Sequence, residues 1–205
     1  VSATSRRDAL RLIGAAPLAV GFGVSTAEAL EAAETAAQAV RTAAAKGALY
    51  RPKFFNAHEW DTVRVLVDLI IPRDERSGSA TDAGVPEFMD VLMTDATDGP
   101  RAKEDRQTAL RGGLAWLDVQ CRRRFGHDFT ACAETERTAL LDDIAYTKPG
   151  QDPHPFFPGF RDLTASGFWS SKMGVDDLGY QGNTFLREWK GTPPEVKARL
   201  GVEGE

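Results

Sequence analysis

Apolar residues recur at helical spacing through most of the chain, and no stretch alternates as a strand face would. The class expected is therefore all-α. Trp60, Val63, Leu66, Val67 and Ile70 form one wide stripe, which Pro72 ends. Asn56-Ala57-His58-Glu59 opens that stripe in the form of a capping box, with Phe55 and Trp60 at the hydrophobic-staple positions. A polar loop, Arg73 to Gly84, leads to a short helix in which Pro86 occupies the tolerated first turn and Phe88, Val91 and Leu92 face inward. A long helix follows from about Ala102 to Phe125, with Leu110, Leu114, Leu117 and Cys121 along its inner edge. Arg122, Arg123 and Arg124 fall in its last turn, where cations favour the negative end of the helix dipole, and Gly126 is a natural stop. A fourth helix, Glu134 to Tyr146, carries Leu140, Leu141 and Ile144. After a Pro-rich turn a fifth passes through Phe160, Leu163, Thr164 and Phe168, and the Gly-rich tail from Lys172 reads as ordered loop. Together these predict a compact bundle of about five helices with an irregular, Gly- and aromatic-rich C-terminal segment.

Two N-terminal stretches depart from this pattern. Ser5-Arg6-Arg7-Asp8-Ala9-Leu10 precedes a weakly apolar run, Gly14 to Val24, too short and too rich in Gly and Ala to span a bilayer. Arg6 and Arg7 before such a run have the form of a twin-arginine export signal, the address of proteins that cross the bacterial inner membrane already folded. Ala27-Glu28-Ala29 supplies a cleavage site, so residues 1–29 read as a leader cut after Ala29. From Leu30 to Ala48 alanine dominates; the helix propensity is strong but large apolar residues are nearly missing. Residues 30–53 accordingly read as a tether without a face worth burying, and residues 54–205 as one helical domain.

Charge and composition narrow the partners. A net charge of −5 and a pI near 5.3 argue against nucleic acid, whose phosphates call for a basic surface. The domain is long enough to bury a sizeable core without staples. Cys121 and Cys132 are an isolated pair with no His at ligand spacing, a poor metal site. In an oxidising periplasm they can close a disulfide worth roughly 3 kcal/mol by loop-closure entropy, the favoured reading; two buried thiols are the alternative.

Chemistry of the chain's own is hard to find. His58, His127 and His154 are far apart, and the usual hydrolase, metalloenzyme and dinucleotide motifs do not occur. Asp142 and Asp143 are adjacent on a helix and cannot face one site, while Asp74, Glu75 and Asp82 are loop acids with at most a calcium site among them. No cofactor is therefore assigned to this chain. Gly112-Gly113 inside a helix costs stability, which the close approach of another helix or contact with a partner's surface would explain. Aromatic residues crowd the last third: Phe156, Phe157, Phe160, Phe168, Trp169, Tyr180, Phe185 and Trp189. Some complete a core; Trp169, Tyr180, Phe185 and Trp189 are candidate interface anchors, a role in which such side chains are enriched.

Several segments resemble the gluconate 2-dehydrogenase subunit 3 family: Phe54-Phe55-x-x-His58-Glu59, Leu69-Ile70-Ile71-Pro72, Ala83-Gly84-Val85-Pro86-Glu87-Phe88 and Leu114-Ala115-Trp116-Leu117-Asp118. Phe160-Arg161-Asp162-Leu163-Thr164, Lys172-Met173-Gly174 and Leu178-Gly179-Tyr180-Gln181-Gly182-Asn183 continue it, so the resemblance runs over about residues 54–202. Ala133 stands where the family carries a capping Thr or Ser, which makes Thr130 the alternative cap of the fourth helix.

The resemblance implies a role more than a reaction. It points to a small, non-catalytic subunit that exports and stabilises a large FAD-dependent dehydrogenase of the glucose-methanol-choline type in the periplasm. A cytochrome c subunit and the twin-arginine translocase are the further partners it implies. FAD is expected in the large subunit. Two other readings stand beside it: a stand-alone periplasmic helical binding protein, and a subunit that lends Arg161, Trp169 or Tyr180 to the partner's active site.

Overall fold

Helix α1, Thr26–Ala45, is the first element of the computed structural model, which describes residues 22, 24–95, 100–146, 156–179, 191, 192 and 194–201. It is followed by α2 (Ala57–Ile70), α3 (Val85–Thr94), α4 (Pro100–Phe125), a 3₁₀ turn (Phe129–Ala131), α5 (Glu134–Ala145), α6 (Phe156–Ser170), α7 (Lys172–Leu178) and α8 (Pro194–Leu200). No strand occurs among the described residues, and the helices form a compact bundle. None of the described helices is long and apolar enough to cross a membrane.

The large apolar residues build the centre as their spacing predicts. Val63, Leu66 and Val67 of α2, Phe88, Met89 and Leu92 of α3, and Leu110, Leu114 and Leu117 of α4 converge on one core. Helix α6 runs through it, touching each of α1 to α5 and α7, and brings Phe156, Phe157, Phe160 and Phe168 into the same cluster. Close packing at α4 accounts for Gly113: a Cβ there would lie 1.8 Å from the Phe156 ring, whereas Gly112 faces open space. The caps are as expected at α2. Asn56 Oδ1 accepts the Glu59 amide at 2.9 Å, Glu59 Oε2 accepts the Asn56 amide at 2.9 Å, and the Phe55 and Trp60 rings meet at 6.1 Å.

Three expectations change. The Ala-rich stretch from Leu30 does have a face worth burying: α1 lies along α3 and α6 with Ala32 and Ala36 buried, in line with Ala29 just before it. Alanine spaced three and four apart lets helix backbones approach closely, a contact that needs no large side chain. The tail is not all loop either. Residues Lys172–Leu178 are helical, capped by Ser171, whose hydroxyl accepts the Gly174 amide at 3.1 Å. A Cβ on Gly174 would lie 2.1 Å from the Phe168 carbonyl oxygen, so this glycine marks a tight helix junction and not a breaker. At α5 the cap is Ala133 itself, whose amide donates to Glu136 Oε2 at 2.8 Å; Thr130 lies in the 3₁₀ turn, where its carbonyl accepts from Arg137.

Candidate functional site

One polar arrangement ties the start of α2 to the end of α4. His58 Nε2 lies 2.6 Å from Asp118 Oδ2, and the other oxygen of that carboxylate accepts the Phe129 amide at 3.0 Å. Asp118 is nearly sealed, while His58 keeps 47% of its side chain in water. The hydrogen bond to Asp118 holds His58 above its ordinary pKa against the opposing effect of desolvation. Arg122 pairs with Asp128 beside it, which lowers the Asp128 carboxyl and fixes the entry to the 3₁₀ turn. Arg124 reaches Asp143 of α5 at 2.6 Å, so two of the three arginines in that last turn serve the fold.

One turn beyond Asp118, Cys121 meets Cys132. Both thiols are free and buried, and Cys132 Sγ donates toward the His127 carbonyl at 3.8 Å. Burial first, then the contact with Cys132, pushes the Cys121 thiol up to about 12. A thiol held this far above neutrality contributes almost no thiolate at pH 7, so Cys121 is not poised as a nucleophile.

Sequence reasoning missed Asp90. This carboxylate is fully buried on α3, where a charged residue in a helical pattern reads as a solvent position. It accepts from Tyr50 Oη at 2.8 Å and from the amides of Lys53 (2.8 Å), Phe54 (2.9 Å) and Phe55 (3.2 Å). Four donors aimed at one anion satisfy it fully and bind the segment before α2 to the core. Burial, reinforced by Asp90, raises the Tyr50 hydroxyl far above its usual range. Arg111 closes the same corner, donating to the Phe54 carbonyl at 2.7 Å while its guanidinium sits 4.2 Å over the Phe54 ring.

The remaining candidates scatter. Trp169 is half-buried with its ring edge-on to Phe168 at 5.0 Å, and Arg161 is mostly buried with Nε lacking a hydrogen-bond partner. His127, Asp142 and Asp143 are exposed. Asp74 Oδ1 accepts the Arg76 and Ser77 amides, and Asp82 Oδ2 accepts from Ser79 and Arg73, so both acids are engaged in their own loop. Among the described residues no three His, Cys, Asp or Glu side chains gather as a metal ion needs. Arg6, Arg7, His154, Tyr180, Phe185 and Trp189 lie outside the described residues. A cleft of about 770 Å³ opens where α1 meets the start of α3 and the α6–α7 junction; Glu87, whose carboxyl burial pushes up, lines it with Ala33, Phe88, Gly167 and Ser171.

A single apolar core shared by the central helices, with buried polar side chains such as Asp90 and Asp118 spent on joints, defines the protein as an all-helical bundle. The chain belongs to the gluconate 2-dehydrogenase subunit 3 family, whose family model matches residues 57–186, more than half of its length. That family is an accessory subunit of a dehydrogenase complex, and membership implies association with a dehydrogenase partner. No curated protein and no solved structure matches the chain.

Proposed function

We propose that this chain is the non-catalytic small subunit of a periplasmic, FAD-dependent sugar or polyol dehydrogenase, and that it exports and stabilises the flavin-bearing large subunit. The observation that carries the reading is a family domain placed behind a leader of twin-arginine form, Arg6-Arg7. A flavoprotein must fold around FAD in the cytoplasm and cannot be threaded unfolded without losing it. Association with a small subunit bearing the export address solves that problem. It also stabilises the partner, because anything that binds the native state alone shifts folding toward it. Substrate oxidation takes place on the partner's FAD, and a cytochrome c subunit takes the electrons onward. Replacing Arg6 and Arg7 together by Lys tests this: bound flavin and this chain should disappear together from the periplasm. Retention of bound flavin there without this chain would contradict the role.

Arg161 and Trp169 support a narrower second reading, in which this subunit completes the partner's pocket: one holds a buried nitrogen without a hydrogen-bond partner, the other keeps part of its ring exposed. Alanine at either position in the assembled complex would then lower turnover at full assembly. Unchanged turnover would sink that reading.

In the periplasm the Cys121–Cys132 pair is proposed to oxidise to a disulfide, which the adjacency of the two sulfurs supports. Thiol titration of denatured, unreduced periplasmic protein should find none, and two thiols would refute the bond.

A further inference from the structure

The small-residue triplet expected to mark the end of the leader is folded into the domain. Ser25 caps α1: its hydroxyl accepts the Glu28 amide at 3.2 Å, and its own amide donates to Glu28 Oε2 at 3.4 Å. The other oxygen, Glu28 Oε1, accepts from Arg106 Nη1 of α4 at 2.7 Å. Both side chains are nearly closed to water, Glu28 at 9% exposed and Arg106 at 7%. Ala29 is buried against the core, and Phe22 and Val24, just upstream, pack on it as well.

We propose that the folded domain begins at or before Ser25, that residues 25–29 stay in the working chain, and that any removal of the leader occurs upstream of Ser25. Proteolysis acts on locally opened chain, and the bond after Ala29 sits inside a capped helix tied to α4 by a buried ion pair. Cutting there would remove the cap, the carboxylate beside Arg106 and a core alanine together. Removing one member of a buried ion pair is far costlier than removing an exposed one. The fate of the leader rests on the export reading, under which α1 is already packed when the leader reaches the periplasm. The anchoring of α1 stands apart from that reading.

Two measurements separate the two claims. For the anchor, the full chain is compared by urea unfolding with Glu28→Gln and with a chain that begins at Leu30. The folding equilibrium should fall about tenfold for Glu28→Gln, as for loss of a charged hydrogen bond. It should fall about a hundredfold or more, or folding should fail, when residues 1–29 are gone. Unchanged stability of Glu28→Gln, or a Leu30 chain as stable as the full one, would overturn the anchor whatever happens to export. For processing, the intact mass of the exported protein should correspond to a first residue at or before Ser25. Any later start overturns the proposal. If no protein is exported at all, the export reading fails and the unfolding comparison still decides the anchor.

Discussion

Helices α1 and α6 both bury a face in the same core, yet they do so by opposite means. Helix α6 contributes large side chains, with Phe156, Phe160 and Phe168 all sealed, and their removal from water supplies the stabilisation. Helix α1 contributes Ala29, Ala32 and Ala36, which bury little area apiece and act by letting α1 lie close on α3 and α6, and it adds one buried ion pair through Glu28. A helix of the first kind is held by what it brings; one of the second kind is held by how little stands in the way. The two therefore fail differently.

The largest expected loss comes from α6. Phe160→Ala should cost about 3–5 kcal/mol, because its ring is fully buried and the space cannot collapse easily. Chemical denaturation measures it, and a cost under about 1 kcal/mol would show a loosely packed centre. Asp90→Asn comes next, at about 2–4 kcal/mol, since one amide cannot serve four donors and a charged acceptor is the stronger one. Faster amide exchange at Lys53, Phe54 and Phe55 should accompany that loss.

On α1 the same experiment must be run in the other direction. Ala36→Leu should destabilise by about 1–3 kcal/mol through overpacking, while Ala37→Leu, on the exposed side, should stay within about 0.5 kcal/mol. Equal effects at the two positions would mean that α1 does not pack by its alanine face.

The smallest effect is at the α2–α4 joint. A His whose pKa is raised by folding contributes stability that is fully present below its ordinary value of 6.5 and lost as pH rises through the folded value. His58→Ala should therefore flatten the decline of stability just above that pH. The step is about 0.5 kcal/mol or less, because the ring is nearly half exposed and its pairing is screened. A slope of the same size in the variant would place its source elsewhere.

The same contrast governs what could be read from the chain and what could not. Leu110, Leu114, Leu117 and Cys121 declare their helix because large apolar residues at that spacing share one face only when the chain is helical. Ala29, Ala32 and Ala36 follow the same spacing, but alanine recurs on the other sides of α1 too, so the buried face carries little contrast with the exposed one. Asp90 was hidden for a related reason: a carboxylate is taken for solvent unless its donors are known, and those donors come from a segment 35 to 40 positions away. His58 and Asp118 are 60 apart in sequence and meet only in the fold. The family resemblance was legible throughout, because it rests on local strings of residues and asks nothing of tertiary contacts.

The most direct test of the account is a pull-down of the tagged chain from the periplasm, read for flavin absorbance and for a co-eluting large subunit. A yellow complex of this chain with a much larger flavoprotein is the expected result. A colourless monomer, stable by itself, would contradict the dehydrogenase assignment and favour a stand-alone binding protein.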